Sequence, residues 1–337
     1  MIYKMPIMEK VLVRGPNWIG DVVMSLPFFE GMKDAWPDAD IYVLTKPYLK
    51  DIYLYNPYIK GVITLDEDHG LWGWSTSLRE IRKLGFGRGI CLPHSVSSAL
   101  FLWLACIPKR YGRACQHRSI FLTHPVAGTI EDFNGHQMDF YMELLDALAG
   151  FNGRDLLPKI YLSDKEQKKA HDIINGIERP ILGLFASAAY GPAKMWPGRY
   201  FIDLANFYIQ ATGGSVILFG ATSDMNTNDH IATSIGSKAY NLAGKTSLLE
   251  TAGVMCLCDV IAANDSGPMH MAAATGVKTI GIFGSSDPKR TAPRGERAHY
   301  IYKGLKCSPC MERQCRYGTY DCLKVITPEE VLSKMIE

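Results

Sequence analysis

The stretch VLVRGPNWIGD, Val11 to Asp21, begins as a phosphate-cradling loop would, with an apolar run and two glycines four residues apart. Such a loop needs Lys and then Ser or Thr after the second glycine; this chain has Asp21 and Val22. A carboxylate beside a phosphate would repel it. Asp21 is therefore read as a proton acceptor, able to take the proton of an attacking hydroxyl in the transition state. The positive end of a helix dipole would keep such a group ionised at neutral pH. The plainer alternative is an acid that only stabilises the first helical turn. Arg14, Asn17 and Trp18 share the loop and are candidates to touch the molecule that carries the hydroxyl.

A second motif, VIAANDSGPMHMAAATG, reads as strand, turn and helix. Pro268 suits the first helical position, Ser266 or Gly267 the cap, and Gly276 the end. Exposed amides and the dipole at such a start make an anion site. Asp265, Ser266 and Gly267 form its turn, and His270 lies one turn further on. A capped core helix is the alternative reading. Lys194, in SAAYGPAKMWP, stands on another strand-to-helix turn that opens at Ser187, and could supply the point charge a diphosphate wants. Thr222, with Ser223 and Asp224, follows VILFG and is placed to meet a ribose or base. The chain lacks the G-x-G-x-x-G of a dinucleotide fold, which disfavours an NAD enzyme.

These residues all sit on turns between apolar runs and amphipathic segments. The alternation, with helices read over Asp21–Trp36 and Ser97–Cys106 and a strand over Val62–Asp66, predicts α/β architecture with parallel sheets covered on both faces. At 337 residues the chain exceeds one hydrophobic core, so two domains are expected, 1–175 and 176–337, with GIERP as hinge and a cleft between their sheets. The last helix is a candidate to pack back on the N-terminal domain. A net charge of +2 argues against a nucleic-acid partner. A basic cluster at Lys109, Arg110, Arg113 and Arg118 could meet an acidic ligand or form a solvated loop. The N-terminus is too short and polar for a signal segment, and SALFLWLACIP is too short to span a membrane. Nine cysteines, several within apolar runs, suit a reducing cytoplasm.

In their order and spacing, GPNWIGDVVMSLP, GPAKMWP, NLAGKTSLLE and NDSGPMHMAAA resemble glycosyltransferase family 9, and CLPHSVSSALFLWLACIPKRYGR resembles the family's acceptor-domain segment. The resemblance implies a GT-B fold, two Rossmann-like domains with parallel sheets facing a central cleft. It implies an enzyme of the hexosyltransferase type. The reaction would be metal-independent, inverting transfer of heptose from ADP-heptose to the heptosyl-Kdo inner core of lipopolysaccharide. In that reading Asp21 is the general base, and Lys194 with Asp265, Ser266 and Gly267 holds the nucleotide sugar. His270 lies close to the phosphates, and Arg110 and Arg113 suit a phosphorylated acceptor. No cofactor is required beyond ADP-heptose as donor substrate. The partners are that nucleotide sugar and the lipopolysaccharide core, with no nucleic acid and at most peripheral contact at the inner membrane. A family member using another donor, a GT-B nucleotide-sugar epimerase and a non-catalytic nucleotide-sugar binder are the alternatives. Outside these motifs, Cys307, Cys310, Cys315 and Cys322 follow C-x2-C-x4-C-x6-C, a spacing that could clasp a structural zinc, pack as reduced thiols or form one disulfide.

Overall fold

Runs of Val, Leu and Ile too apolar to leave either face in water build two sheets, each of six parallel strands. The computed structural model describes residues 9–65, 70–130, 132–151 and 155–337. Asp66, the expected end of a strand, lies outside them.

The chain divides into two compact units between Tyr161 and Leu162. The first runs β1 (Lys10–Arg14), α1 (Ile19–Met24), α2 (Leu26–Ala35), β2 (Asp40–Thr45), α3 (Lys50–Tyr53), β3 (Gly61–Thr64) and α4 (Gly70–Leu84). It continues with β4 (Arg88–Cys91), α5 (Val96–Leu104), β5 (Lys109–Arg113), β6 (His124–Val126) and α6 (Gln137–Ala149). The second opens with α7 (Asp164–Ile173), β7 (Ile181–Phe185), α8 (Gly198–Thr212), β8 (Ser215–Leu218), α9 (Met225–Ile235) and β9 (Ala239–Asn241). It closes with α10 (Leu248–Leu257), β10 (Val260–Asn264), α11 (Gly267–Ala274), β11 (Lys278–Phe283), α12 (Pro288–Thr291), β12 (Ala298–Tyr302), α13 (Asp321–Lys324) and α14 (Pro328–Ile336).

Strand order is β3-β2-β1-β4-β5-β6 in one sheet and β12-β11-β10-β7-β8-β9 in the other. Both are the doubly wound Rossmann order. Each therefore reverses direction at one place, β1 beside β4 in the first unit and β7 beside β10 in the second. Ligands of such sheets bind beyond the carboxyl ends of the strands at that reversal. In the second unit β7 and β10 are buried throughout, in register from Leu182↔Val260 to Phe185↔Ala263. Their cover is a core of Leu184, Phe201, Leu204, Ala262 and Ile280. In the first, Leu12, Leu44, Phe101 and Leu102 pack with Trp74, whose ring meets Phe101 edge-on at 5.2 Å.

Some expectations are corrected. The unit boundary falls before α7, not at 175, because α7 packs on α10: a Cβ placed on Gly253 would stand 2.8 Å from that of Ala170. The last helix joins the second unit, with Val331 and Met335 in its core and Lys278 Nζ donating to Met335 O at 2.9 Å. The helix read over Asp21–Trp36 is two, broken at Ser25, since Pro27 cannot donate into a continuous ladder. No described helix is long and apolar enough to cross a membrane.

Candidate functional site

In the first unit the loop after β1 carries the chemistry. Arg14 is 1% exposed. Its Nη1 donates to Gly15 O at 2.6 Å and its Nη2 to Asn17 Oδ1 at 2.7 Å. Arg14 is thus the buckle of the loop, with Asn17 its partner, and not a group presented to a ligand. Tyr48, from the turn after β2, donates its phenol to Asn17 O at 2.5 Å and pins the loop from the other side. Gly15 is required here, because a Cβ would lie 2.6 Å from the buried Tyr53 hydroxyl. What the loop does present is Trp18, 69% exposed, at the N-cap of α1. Asp21 follows in the first turn, partly exposed. Its charge is felt by two buried tyrosines: burial pushes the Tyr141 phenol up and the Asp21 charge adds to it, and on Tyr53 burial again dominates, opposed by Ser25 and then Arg14, with Asp21 a smaller upward influence.

The basic cluster does not form an anion-binding surface of free guanidinium groups. Arg113 is buried, with Nη1 donating to Ala127 O at 2.8 Å and Nη2 to Phe140 O at 3.1 Å, its plane 4.3 Å over the Phe140 ring. Arg110 donates to Phe121 O at 2.6 Å and Ile107 O at 2.5 Å. Arg118 is wholly buried, with Nε donating to Arg113 O at 2.8 Å. These side chains tie loops together, a use of their donors that weighs against the reading of Arg110 and Arg113 as acceptor contacts.

In the second unit the reversal point brings together the loops after β7 and β10. Lys194 ends a short 3-10 turn after β7, and its Nζ lies 2.5 Å from Asp265 Oδ2 at the start of the β10–α11 turn. The same carboxylate oxygen accepts from Ser286 Oγ at 2.5 Å, and Oδ1 from Thr291 Oγ1 at 3.5 Å. Asp265 is 4% exposed. It is therefore a fixed counter-charge that aims the ammonium, more than a group offered to a ligand. The other flank of the ammonium faces the Tyr190 ring at 4.8 Å. Asn264, 0% exposed, clamps the arrangement: its Oδ1 accepts from Trp196 N and its Nδ2 donates to Ala186 O, both at 2.9 Å.

Ser266 is the N-cap of α11, yet its hydroxyl makes no cap bond and is a buried donor without a protein partner. Ser285, in the loop after β11, holds a second such hydroxyl. Thr45 and Ser215 hold such hydroxyls too, so it is the place of Ser266 at a helix start, in the turn that carries the oriented Lys194–Asp265 pair, that would suit an anionic ligand. Gly267 and Pro268 occupy the first two helical positions, one residue earlier than expected, and His270 is buried one turn in. Ser187 donates to Asp224 Oδ2 at 2.9 Å, an oxygen that also accepts from Ala221 N, so Ser187 fixes the loop after β8. Thr222 is exposed on that same loop.

Sequence reasoning missed Asn264, Ser285, Ser286 and Tyr48. A signal existed for the serines: IFGSSDP repeats the strand-then-small-polar pattern of IAANDSGP. The four C-terminal cysteines are free thiols, and among the described residues no group of three His, Cys, Asp or Glu could hold a metal ion. Tyr320 N donates to Cys315 Sγ at 3.5 Å, and this and neighbouring amides hold the Cys315 thiol below its usual range. Cys322 is raised, by burial first and then by Cys307, Cys310 and Cys315.

Residues 75–321 match the model of glycosyltransferase family 9 (heptosyltransferase). The chain is 29% identical to lipooligosaccharide heptosyltransferase 2 of Haemophilus influenzae, covering 97% of this chain and 98% of that one. It is likewise 28% identical to the Escherichia coli lipopolysaccharide heptosyltransferase 2, over 97% of both. Among solved structures, the E. coli ADP-heptose lipopolysaccharide heptosyltransferase II superposes with a TM-score of 0.85 at 26% identity, over 97% of both chains. A family 9 glycosyltransferase from Veillonella parvula reaches a TM-score of 0.89 at 23% identity, over 98% of this chain and 99% of its own. The fold is thus GT-B.

Proposed function

This chain belongs to glycosyltransferase family 9, and we propose that it moves a heptose from ADP-heptose to the heptosyl-Kdo inner core of lipopolysaccharide with inversion. The observation that carries the reading is the aimed ammonium of Lys194 beside the unpartnered Ser266 and Ser285 hydroxyls at the reversal of the second sheet. That is a cradle for a diphosphate. Similarity along nearly the whole length to heptosyltransferases 2 supports the choice of sugar and acceptor.

In the proposed reaction an acceptor hydroxyl oxygen attacks the anomeric carbon while the bond from that carbon to the diphosphate oxygen breaks. The bonding electrons leave with ADP, and the hydroxyl proton passes to Asp21. Lys194, Ser266 and the first amides of α11 receive the developing charge, a task a divalent ion performs elsewhere, so turnover should survive a chelator. His270 backs the phosphates, Thr222 meets the nucleoside, and Trp18 offers an indole face to acceptor sugars. The acceptor is lipid-anchored, which puts the work at the cytoplasmic face of the inner membrane, in peripheral contact with it.

The test is mass analysis of a truncated lipopolysaccharide acceptor incubated with the protein and ADP-heptose, with and without chelator. A gain of one heptose is expected in both. Donor consumed in the absence of acceptor would favour an epimerase or hydrolase. No product with any nucleotide sugar would leave only a binder.

A further inference from the structure

The Lys194–Asp265 pair brings no net charge to the donor cradle, since its ammonium and carboxylate lie 2.5 Å apart. A sugar diphosphate is a dianion, and the departing ADP carries more charge still. The positive end of α11 offers only about half an elementary charge. A further positive group is wanted, and the loop between β12 and α13, residues 303–320, brings one.

That loop is fastened to both flanks of the cradle by its main chain. Cys310 N and Met311 N donate to Ser285 O at 3.0 and 2.8 Å, on the residue whose hydroxyl is unpartnered. Met311 O accepts from the Tyr190 hydroxyl at 2.6 Å, and Arg313 O from Ala193 N, beside Lys194, at 3.1 Å. Gly191 permits the approach: its φ is +143°, and a Cβ there would stand 2.6 Å from Arg313 O. Because main-chain atoms make these contacts, the Arg313 side chain is left over from them. It is exposed, no carboxylate pairs with it among the described residues, and its neighbour Glu312 is taken by Arg316 at 3.2 Å. Its guanidinium lies 5.3 Å from the centre of the Tyr190 ring, and Lys194 Nζ lies 4.8 Å from the same centre, so the two cations stand within about 10 Å of each other.

We infer that Arg313 is a second phosphate-binding residue of the donor site and joins Lys194 on the diphosphate. A guanidinium can hold two phosphate oxygens at once, whereas the ammonium acts as a point charge. The inference rests on the reading of this cradle as a diphosphate site and adds the group that balances its charge.

The test is calorimetric titration of the full chain with ADP and with inorganic pyrophosphate, beside the KM values for ADP-heptose and acceptor. Arg313→Gln removes the charge and keeps the main-chain contacts, so Tm without ligand should stay within about 2 °C of wild type. The Kd for each probe should rise at least about ten-fold, the KM for ADP-heptose should rise with it, and the acceptor KM should not move. Arg313→Lys keeps the charge without the planar fork and should fall between wild type and Arg313→Gln. Wild-type affinity for both probes in Arg313→Gln would overturn the inference. So would an equal rise in acceptor KM or a larger fall in Tm, either of which would make the residue structural. A wild-type protein that binds no ADP is a separate failure: the donor-site reading itself would fall, and this inference with it.

Discussion

Replacing Lys194 by Met should separate its structural role from its chemical one. The ammonium is 15% exposed and its partner Asp265 only 4%, so the substitution leaves a carboxylate buried without its counter-charge. Breaking such a pair costs about 3–5 kcal/mol. Ser286 and Thr291 still donate to Asp265, which favours the lower end, about 3 kcal/mol. For a unit of this size that corresponds to a fall in Tm of about 6–12 °C. Adding Asp265→Asn removes the uncompensated charge and should return the double variant to within about 1 kcal/mol of wild type. Donor use should not return with it. An ammonium has three N–H donors, and a single bond to Asp265 leaves two for phosphate oxygens. Losing a preorganised contact of that kind costs about 100-fold in kcat/KM, in the single and the double variant alike. Calorimetry and steady-state kinetics on the three proteins decide the matter. Recovery of kcat/KM alongside Tm in the double variant would refute the reasoning, because the lysine would then serve only the buried acid.

Asp21→Asn should lower turnover about 1,000-fold while ADP affinity by calorimetry stays unchanged; weakened ADP binding would assign Asp21 to the donor instead. Tyr48→Phe loses the bond to Asn17 O and keeps the ring, whereas Tyr48→Ala loses both. If Tyr48 acts by pinning the Trp18 loop, both variants raise acceptor KM by similar factors, and a normal Tyr48→Phe would contradict this. Arg113→Met unpairs Ala127 O and Phe140 O and should destabilise the first unit by about 2–4 kcal/mol in denaturant titration; a raised acceptor KM at full stability would restore the binding role. Cys315 is shifted down from the usual thiol range by amide donors and Cys322 up by burial, so Cys315 carries more thiolate at neutral pH. Alkylation followed by mass spectrometry should therefore modify Cys315 at lower pH than Cys322, and the opposite order would show that these amides do not hold the sulfur.

How far the sequence could be read depended on whether a residue acts through its place in the chain or through where it ends up in space. Strand-to-helix turns are local, so the apolar run before Asp265, the helix after Gly267 and the turn bearing Lys194 were all legible. What composition could not convey is that Lys194 and Asp265, 2.5 Å apart, meet because β7 and β10 lie side by side. That adjacency comes from strand order, and it converts a reading of two separate ligand contacts into one oriented pair. The basic cluster failed for the same reason. KRYGR looks like a solvated loop because its charges are numerous, yet it is strand β5, and its arginines reach back to carbonyls of Ile107, Phe121, Ala127 and Phe140. A guanidinium has five donors and can saturate several loop carbonyls at once, so in a chain of net charge near zero a cluster of arginines is as suited to holding loops as to holding ligands. Lysine lacks that fork, and Lys83 and Lys109 remain at the surface. The division of labour between residues 82 and 118 follows from this difference: the arginines mostly hold loops of the first unit together, and the two lysines are left exposed.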